Sequence, residues 1–221
     1  MMLFIAVYLI ALFCYFFTRT SETKRYRALN KYIMATMYLV YGIYYTASRH
    51  PFSSFHTVLI IALIFAWLGD IFLVFDFNRG GDFFLAGNVC FIFYEMMVIC
   101  DMGYRFRDFG WVFLVVALML GAFIFACSKW PNRFKLGKMK WPMTFYLSSI
   151  YTHGITGLAL FMLAPAGSAY RVMGIGSFMF MISDIILTLY NYVFGENRWL
   201  VRANSLTYFV GLLLIVLSTS L

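Results

Sequence analysis

The sequence predicts an all-α polytopic membrane protein, with eight transmembrane helices arranged as two parallel four-helix repeats and both termini outside. Three observations predict it. Of 221 residues, 63% are hydrophobic and only 12% charged, about half the charged share of an ordinary soluble domain. The apolar residues fall into eight runs close to the ~20 residues with which a helix crosses the hydrocarbon, its backbone groups all paired. The basic residues gather in alternate loops, as a positive-inside bias requires.

The runs follow in order. Residues 1–17, "MMLFIAVYLIALFCYFF", have neither a basic lead nor a small-residue cleavage site, so they are expected to be a mature helix rather than a signal peptide. Residues 32–48 follow a basic stretch and are rich in tyrosine. Residues 57–76 contain "AWLGDIFLVF", in which a carboxylate, Asp70, stands among apolar neighbours. Residues 83–100 carry Asn88, Tyr94 and Glu95, and residues 109–128 carry no charge. Residues 142–163 begin at a proline and hold a polar series. Residues 171–194 enclose Asp184, and residues 200–220 carry Arg202, Asn204 and Tyr208 near their start. All four prolines (Pro51, Pro131, Pro142, Pro165) lie between or at the ends of these runs, where a lost donor costs little. Almost nothing is left for a soluble domain. Residues 1–221 therefore read as one integral, multi-pass membrane domain with halves of about 1–108 and 109–221, in the cell membrane if the source is a bacterium.

The net charge of +8 does not point to nucleic acid, because the basic residues share no soluble face. Arg19, Lys24, Arg25, Arg27, Lys31, Arg79, Lys129, Arg133, Lys135, Lys138, Lys140, Arg198 and Arg202 fall on one side of the predicted topology, and only Arg49, Arg105, Arg107 and Arg171 on the other. The odd-numbered loops are thereby cytoplasmic. Trp111, Trp130, Trp141 and Trp199 lie near run ends, as in an aromatic belt. Cys14, Cys90, Cys100 and Cys127 are scattered singly, without metal or redox spacing.

A shift of 114 residues, without gaps, places Asp70 on Asp184, Ile71 on Ile185, Leu73 on Leu187, Gly81 on Gly195, Tyr94 on Tyr208 and Tyr32 on Tyr146. The same shift lays the third and fourth runs on the seventh and eighth. An even number of spans per half makes the repeat parallel. Asp70 and Asp184 then stand at a shared depth, six to ten residues before the cytoplasmic ends of their runs, or roughly 9 to 15 Å below the surface.

Carboxylates within spans are costly and usually face a bundle interior where they serve function. Asp70, Glu95 and Asp184 qualify. Ser177, Asp184, Thr188 and Asn191 form a polar stripe on one face of the seventh run, and Tyr146, Ser149, His153 and Thr156 do the same on the sixth. Asn204, Thr207, Tyr208 and Gly211 add to it from the eighth, and Asn88 and Glu95, seven apart, from the fourth. A polar cavity open toward the cytoplasm is expected, with interhelical hydrogen bonding as the plainer reading of its neutral residues. His50 and His56 lie at or beyond run ends on the outer side, so they do not converge with His153 on a metal. No metal site or cofactor is expected, and no phosphate loop or nucleophile elbow is present.

The stretches "LGDIFLVF", "FFLAGNVCFIFYE", "FMISDIILTLYNYVFG" and "LVRANSLTYFVGLLLIVLS" resemble the YhhN-like lysoplasmalogenase family, in order and spacing, from the second run to the eighth. The likeness is specific at the Gly-Asp of the third run, the Ser-Asp of the seventh, Asn191, and the Thr-Tyr of the eighth. Lys31 resembles the family's basic residue at the start of the second run. Glu95 departs, standing where the pattern leads one to expect His. The resemblance implies hydrolysis of the vinyl ether bond of lysoplasmalogen to a fatty aldehyde and a glycerophospho-base. It implies Asp70 and Asp184 as catalytic groups, with Asn191 and Tyr208 in the pocket.

Two carboxylates suit that chemistry. A vinyl ether is hydrolysed by protonation on carbon, which creates an oxocarbenium ion that water captures. Two carboxylates sharing a buried site cannot comfortably both ionise, so one can serve as acid while its partner stabilises the cation and activates water. The sequence leaves open which does which. Tyr94, Glu95, His153, Asn88 and Asn204 are further candidates for substrate binding, and Lys31, Arg198 and Arg202 lie level with a lysophospholipid phosphate. The expected partners are this lysolipid and membrane lipid, with a homo-oligomer left open. A small transporter or lipid-binding protein, using the paired aspartates for proton or cation coupling, is the alternative.

Overall fold

The computed structural model describes residues 2–19, 24–49, 54–75, 81–105, 111–129, 137–192, 194–195 and 197–220. Among them the fold is all-helical, as expected. The helices are α1 (Met2–Thr18), α2 (Lys24–Arg49), α3 (Ser54–Phe75), α4 (Asp82–Arg105), α5 (Trp111–Ser128), α6 (Lys140–Leu163), α7 (Ala169–Tyr192) and α8 (Arg198–Leu217), the last followed by a 3-10 turn over Ser218–Ser220. Arg79, Arg107, Trp130, Arg133 and Lys135, on which the topology expectation drew, lie outside the described residues.

Each apolar run has become a helix, but two ends differ from expectation. Helix α2 starts at Lys24 rather than 32 because the polar stretch before it, rich in Lys, Arg, Ala and Leu, consists of good helix formers. Helix α4 continues to Arg105 rather than stopping at 100, so Asp101 lies inside it and is buried. Pro142 occupies the first turn of α6, where its missing N–H has no intrahelical partner to lose. The Asn197 side chain caps α8 by accepting from the Trp199 N–H at 2.8 Å. Gly195, between α7 and α8, has φ +74°, a left-handed conformation that suits glycine.

Among the described residues, four helical segments are long and apolar enough to cross a membrane: Thr57–Phe75, Asp82–Met102, Ala169–Asn191 and Arg198–Ser220. Met2–Thr18 is apolar but shorter. Helix α6 is less apolar for a visible reason: its polar side chains Thr144, Ser148, Ser149, Thr152, His153 and Thr156 turn inward, whereas α2 owes its polarity to the Lys- and Arg-bearing stretch at its start. Four hydroxyls of α6 are satisfied on its own backbone, Thr144 on Lys140, Ser148 on Thr144, Ser149 on Tyr146 and Thr152 on Ser148. Large apolar side chains such as Ile10, Phe13, Ile64, Phe93 and Phe125 point outward.

Packing closes six helices into a ring in the order α2, α3, α4, α6, α7, α8 and back to α2. Helix α1 lies outside it against α2 and α8, and α5 lies outside against α6. Glycines permit the closest approaches. A Cβ on Gly174 of α7 would stand 2.5 Å from the Gly157 carbonyl of α6, and one on Gly211 of α8 would stand 2.9 Å from the Gly176 carbonyl of α7. Small residues let membrane helices gain dispersion contact where no hydrophobic effect drives their association.

Candidate active site

Asp70 sits near the C-terminal end of α3, 2% exposed, and three donors converge on it. The Lys31 ammonium of α2 lies 3.0 Å from Oδ1. Tyr208 of α8 donates to Oδ2 at 2.8 Å and Tyr38 of α2 at 3.2 Å. Lys31 and Tyr38 are seven residues apart and so share a face of α2. A cation and two hydroxyls offset the cost of burying this carboxylate, since charge-assisted hydrogen bonds are the strong ones. Lys31, whose side chain is 20% exposed, links the buried anion to the surface.

Asp184 of α7 is also 2% exposed, in different surroundings. Tyr146 of α6 donates a hydrogen bond to it, while its Oδ2 has no hydrogen-bond partner among the described residues. It interacts electrostatically with Glu95, Asp70 and Lys31, so the two aspartates lie within reach of each other's charge. Asn204 of α8 fastens the preceding residue, its amide donating to the Ser183 carbonyl at 2.8 Å and to the Ser183 hydroxyl at 2.9 Å. Asp184 is thus held between α6 and α8 with one oxygen open. The two carboxylates are chemically unlike, one saturated with donors and one not.

Deeper in the bundle, Glu95 of α4 and His153 of α6 are fully buried and meet through Oε2 and Nδ1. The fully buried ring of Phe180 joins this pair to the aspartates: its centroid is 5.2 Å from Tyr94, 6.0 Å from His153 and 5.1 Å from Tyr208. Phe91 packs beside it, 6.2 Å from the Tyr208 ring.

Of the residues expected from sequence, the fold gathers Lys31, Asp70, Tyr94, Glu95, His153, Asp184 and Tyr208. The others are placed differently. The Asn88 amide donates to the Phe84 carbonyl of its own helix at 2.8 Å, and Asn204 serves the α7–α8 contact. Asn191 is half-buried near the end of α7, two turns beyond Asp184. Arg198 is exposed at the start of α8. The Arg202 guanidinium lies over the rings of Phe16, Phe17 and Trp199, bracing α1 against α8. Tyr38 is not among the residues expected from sequence, although it stands seven residues from Lys31. Tyr146 is expected only as one member of a stripe, and Asp101 lies one residue past the expected end of the fourth run.

No curated protein and no solved structure matches the chain. A model of the YhhN family matches residues 26–219, which take in all but the first two residues of α2, all of α3 to α8, and every residue gathered at the site. With most of its length so matched, the chain belongs to the YhhN family.

Proposed function

We propose that the protein is a membrane hydrolase that cleaves the vinyl ether bond of lysoplasmalogen, the activity for which the YhhN family is known as the lysoplasmalogenase family. The observation that carries this reading is the unlike pair of buried aspartates: Asp70 saturated by Lys31, Tyr38 and Tyr208, and Asp184 with an open oxygen. That difference assigns the roles. Asp184 is the acid, and Asp70 is the anion that steadies the cation and activates water.

The steps balance with one water consumed. The Asp184 carboxyl gives its proton to the vinyl carbon distal to the ether oxygen, and the π pair forms the new C–H bond. The resulting oxocarbenium ion lies between two carboxylates. Water adds to the oxygen-bearing carbon while Asp70 takes a proton from it, giving a hemiacetal. Collapse returns the Asp70 proton to the departing glycerol oxygen as Asp184 takes the hemiacetal hydroxyl proton. Aldehyde and glycerophospho-base leave, and both aspartates are reset.

The wider architecture belongs to the same proposal. Eight spans in two parallel repeats, with both termini outside, are supported by a mirrored pattern of packing: α4 on α6 corresponds to α8 on α2, and α1 on α2 to α5 on α6. Tyr208 on Asp70 likewise corresponds to Tyr94, which interacts electrostatically with Asp184. A single-chain lipid would then enter from the leaflet with its phosphate near the cytoplasmic surface. The decisive assay offers purified protein lysoplasmalogen and a saturated lysophospholipid. Aldehyde release from the first alone is expected, and equal cleavage of both, or of neither, removes the assignment. Proton- or cation-coupled transport remains the second reading because Asp101 adds a further buried carboxylate, on α4. Substrate-free proton or cation flux in proteoliposomes, abolished by Asp101→Asn, would favour it.

A further inference from the structure

The proposed chemistry leaves two costly side chains unused. Glu95 and His153 are fully buried inside α4 and α6 and touch through Oε2 and Nδ1. Beyond that contact, Glu95 Oε1 and His153 Nε2 have no hydrogen-bond partner among the described residues. The surroundings are mostly ring faces, with the Tyr94 and Phe180 centroids 5.9 and 6.0 Å from that of His153. Apolar residues of similar volume would pack there without the penalty of desolvating ionisable groups, so the pair is poorly explained as helix glue.

Its neighbours suggest a task. Glu95 interacts electrostatically with Asp184, and His153 lies two turns along α6 from Tyr146, which donates to Asp184. The charges that act on Asp184 can be counted. Lys31 balances Asp70. One proton shared by Glu95 and His153 leaves that pair neutral whichever of them holds it. The site is then neutral overall when Asp184 carries its proton, which is the form an acid needs before substrate arrives.

We propose that Glu95 and His153 are positioning residues that act through Asp184, a buried pair sharing one proton whose neutrality keeps Asp184 in its acid form. Resting on the two-carboxylate reading of the site, this extends the site to residues that need not touch the substrate. The pair works as a unit, so restoring it in reverse should restore function.

The experiment has one kinetic arm and one arm independent of activity. Glu95→Gln and His153→Gln should each lower kcat by about tenfold or more while KM for lysoplasmalogen changes little. The exchanged variant, Glu95→His with His153→Glu, should recover most of the lost kcat. Single variants with wild-type kcat, or an exchanged variant as slow as the singles, would overturn the proposal. For the second arm, the protein is labelled with 15N-histidine and observed in detergent micelles. With only three histidines in the sequence, the His153 ring signals are identified by their loss in His153→Gln. Asp184→Asn should shift those signals, whereas unshifted signals would break the link between the pair and Asp184. This arm reads no turnover. Failure of wild-type protein to release aldehyde would refute the hydrolase reading instead, leaving the coupling to be decided by the histidine signals.

Discussion

At the scale of single residues, the site depends on how Asp70 is held. Lys31→Met would remove the ammonium 3.0 Å from Oδ1 and leave a buried carboxylate without its cation. Breaking a buried pair in this way costs about 3 to 5 kcal/mol, so thermal unfolding in detergent should show a clear loss of stability together with lost hydrolysis. Tyr208→Phe is gentler. The ring stays among Phe91, Phe180 and Phe209 while the 2.8 Å bond to Asp70 disappears. A lost buried hydrogen bond is worth about 1 to 3 kcal/mol, so turnover should fall by roughly five- to a hundredfold with little change in the melting temperature. Unchanged turnover would make Tyr208 a packing residue. The aspartates were legible in the sequence because a carboxylate stands out against an apolar run. Of their tyrosine partners, Tyr208 was reached through the family resemblance, Tyr146 only as one member of a stripe and Tyr38 not at all: the chain has 16 tyrosines, and local sequence does not tell which hydroxyl will meet a carboxylate on another helix.

At the scale of helices, small residues set the distances on which the pocket depends. Gly174→Ala would bring a Cβ within 2.5 Å of the Gly157 carbonyl and 2.6 Å of the Phe161 nitrogen, both backbone atoms that cannot step aside. Helices α6 and α7 must then separate, pulling Tyr146 away from Asp184. Lower thermal stability and lower turnover together are expected. Gly121→Ala on α5 is the control, because its added methyl meets no heavy atom within 4 Å. It should be neutral or stabilising by up to about 1 kcal/mol, the helix-propensity gain of Ala over Gly. Equal damage from both substitutions would contradict the packing described here. The existence and order of the helices were legible because apolar runs of membrane-spanning length leave few alternatives. Their polar ends were less so. Hydropathy reports where a helix would be immersed rather than where its hydrogen bonding stops, which is why α2 began earlier at Lys24 and α4 ran on past Asp101.

At the scale of the whole molecule, α3 and α7, one from each half of the sequence, each bring a buried carboxylate to the site, and a side chain from the opposite half acts on each. Tyr208 of α8 reaches Asp70, and Glu95 of α4 interacts with Asp184. A site shared in this way cannot be assembled by either half alone. The 114-residue correspondence made the pairing of the aspartates legible, but not their unlike surroundings: Lys31 beside Asp70 corresponds to Phe145, and the exposed Tyr32 corresponds to Tyr146, which donates to Asp184. Under the proposed repeat, Asp70 and Asp184 occupy equivalent positions, and local substitutions give them unlike partners. The most direct measurement compares lysoplasmalogen hydrolysis by Asp70→Asn, Asp184→Asn and the double variant in protein that inserts and purifies normally. Each substitution keeps volume and much hydrogen bonding while removing the charge and the transferable proton. If the aspartates act as a unit, each single variant abolishes aldehyde release and the double variant is scarcely worse than either. If one single variant hydrolyses lysoplasmalogen at a near-normal rate, the two-carboxylate account is contradicted.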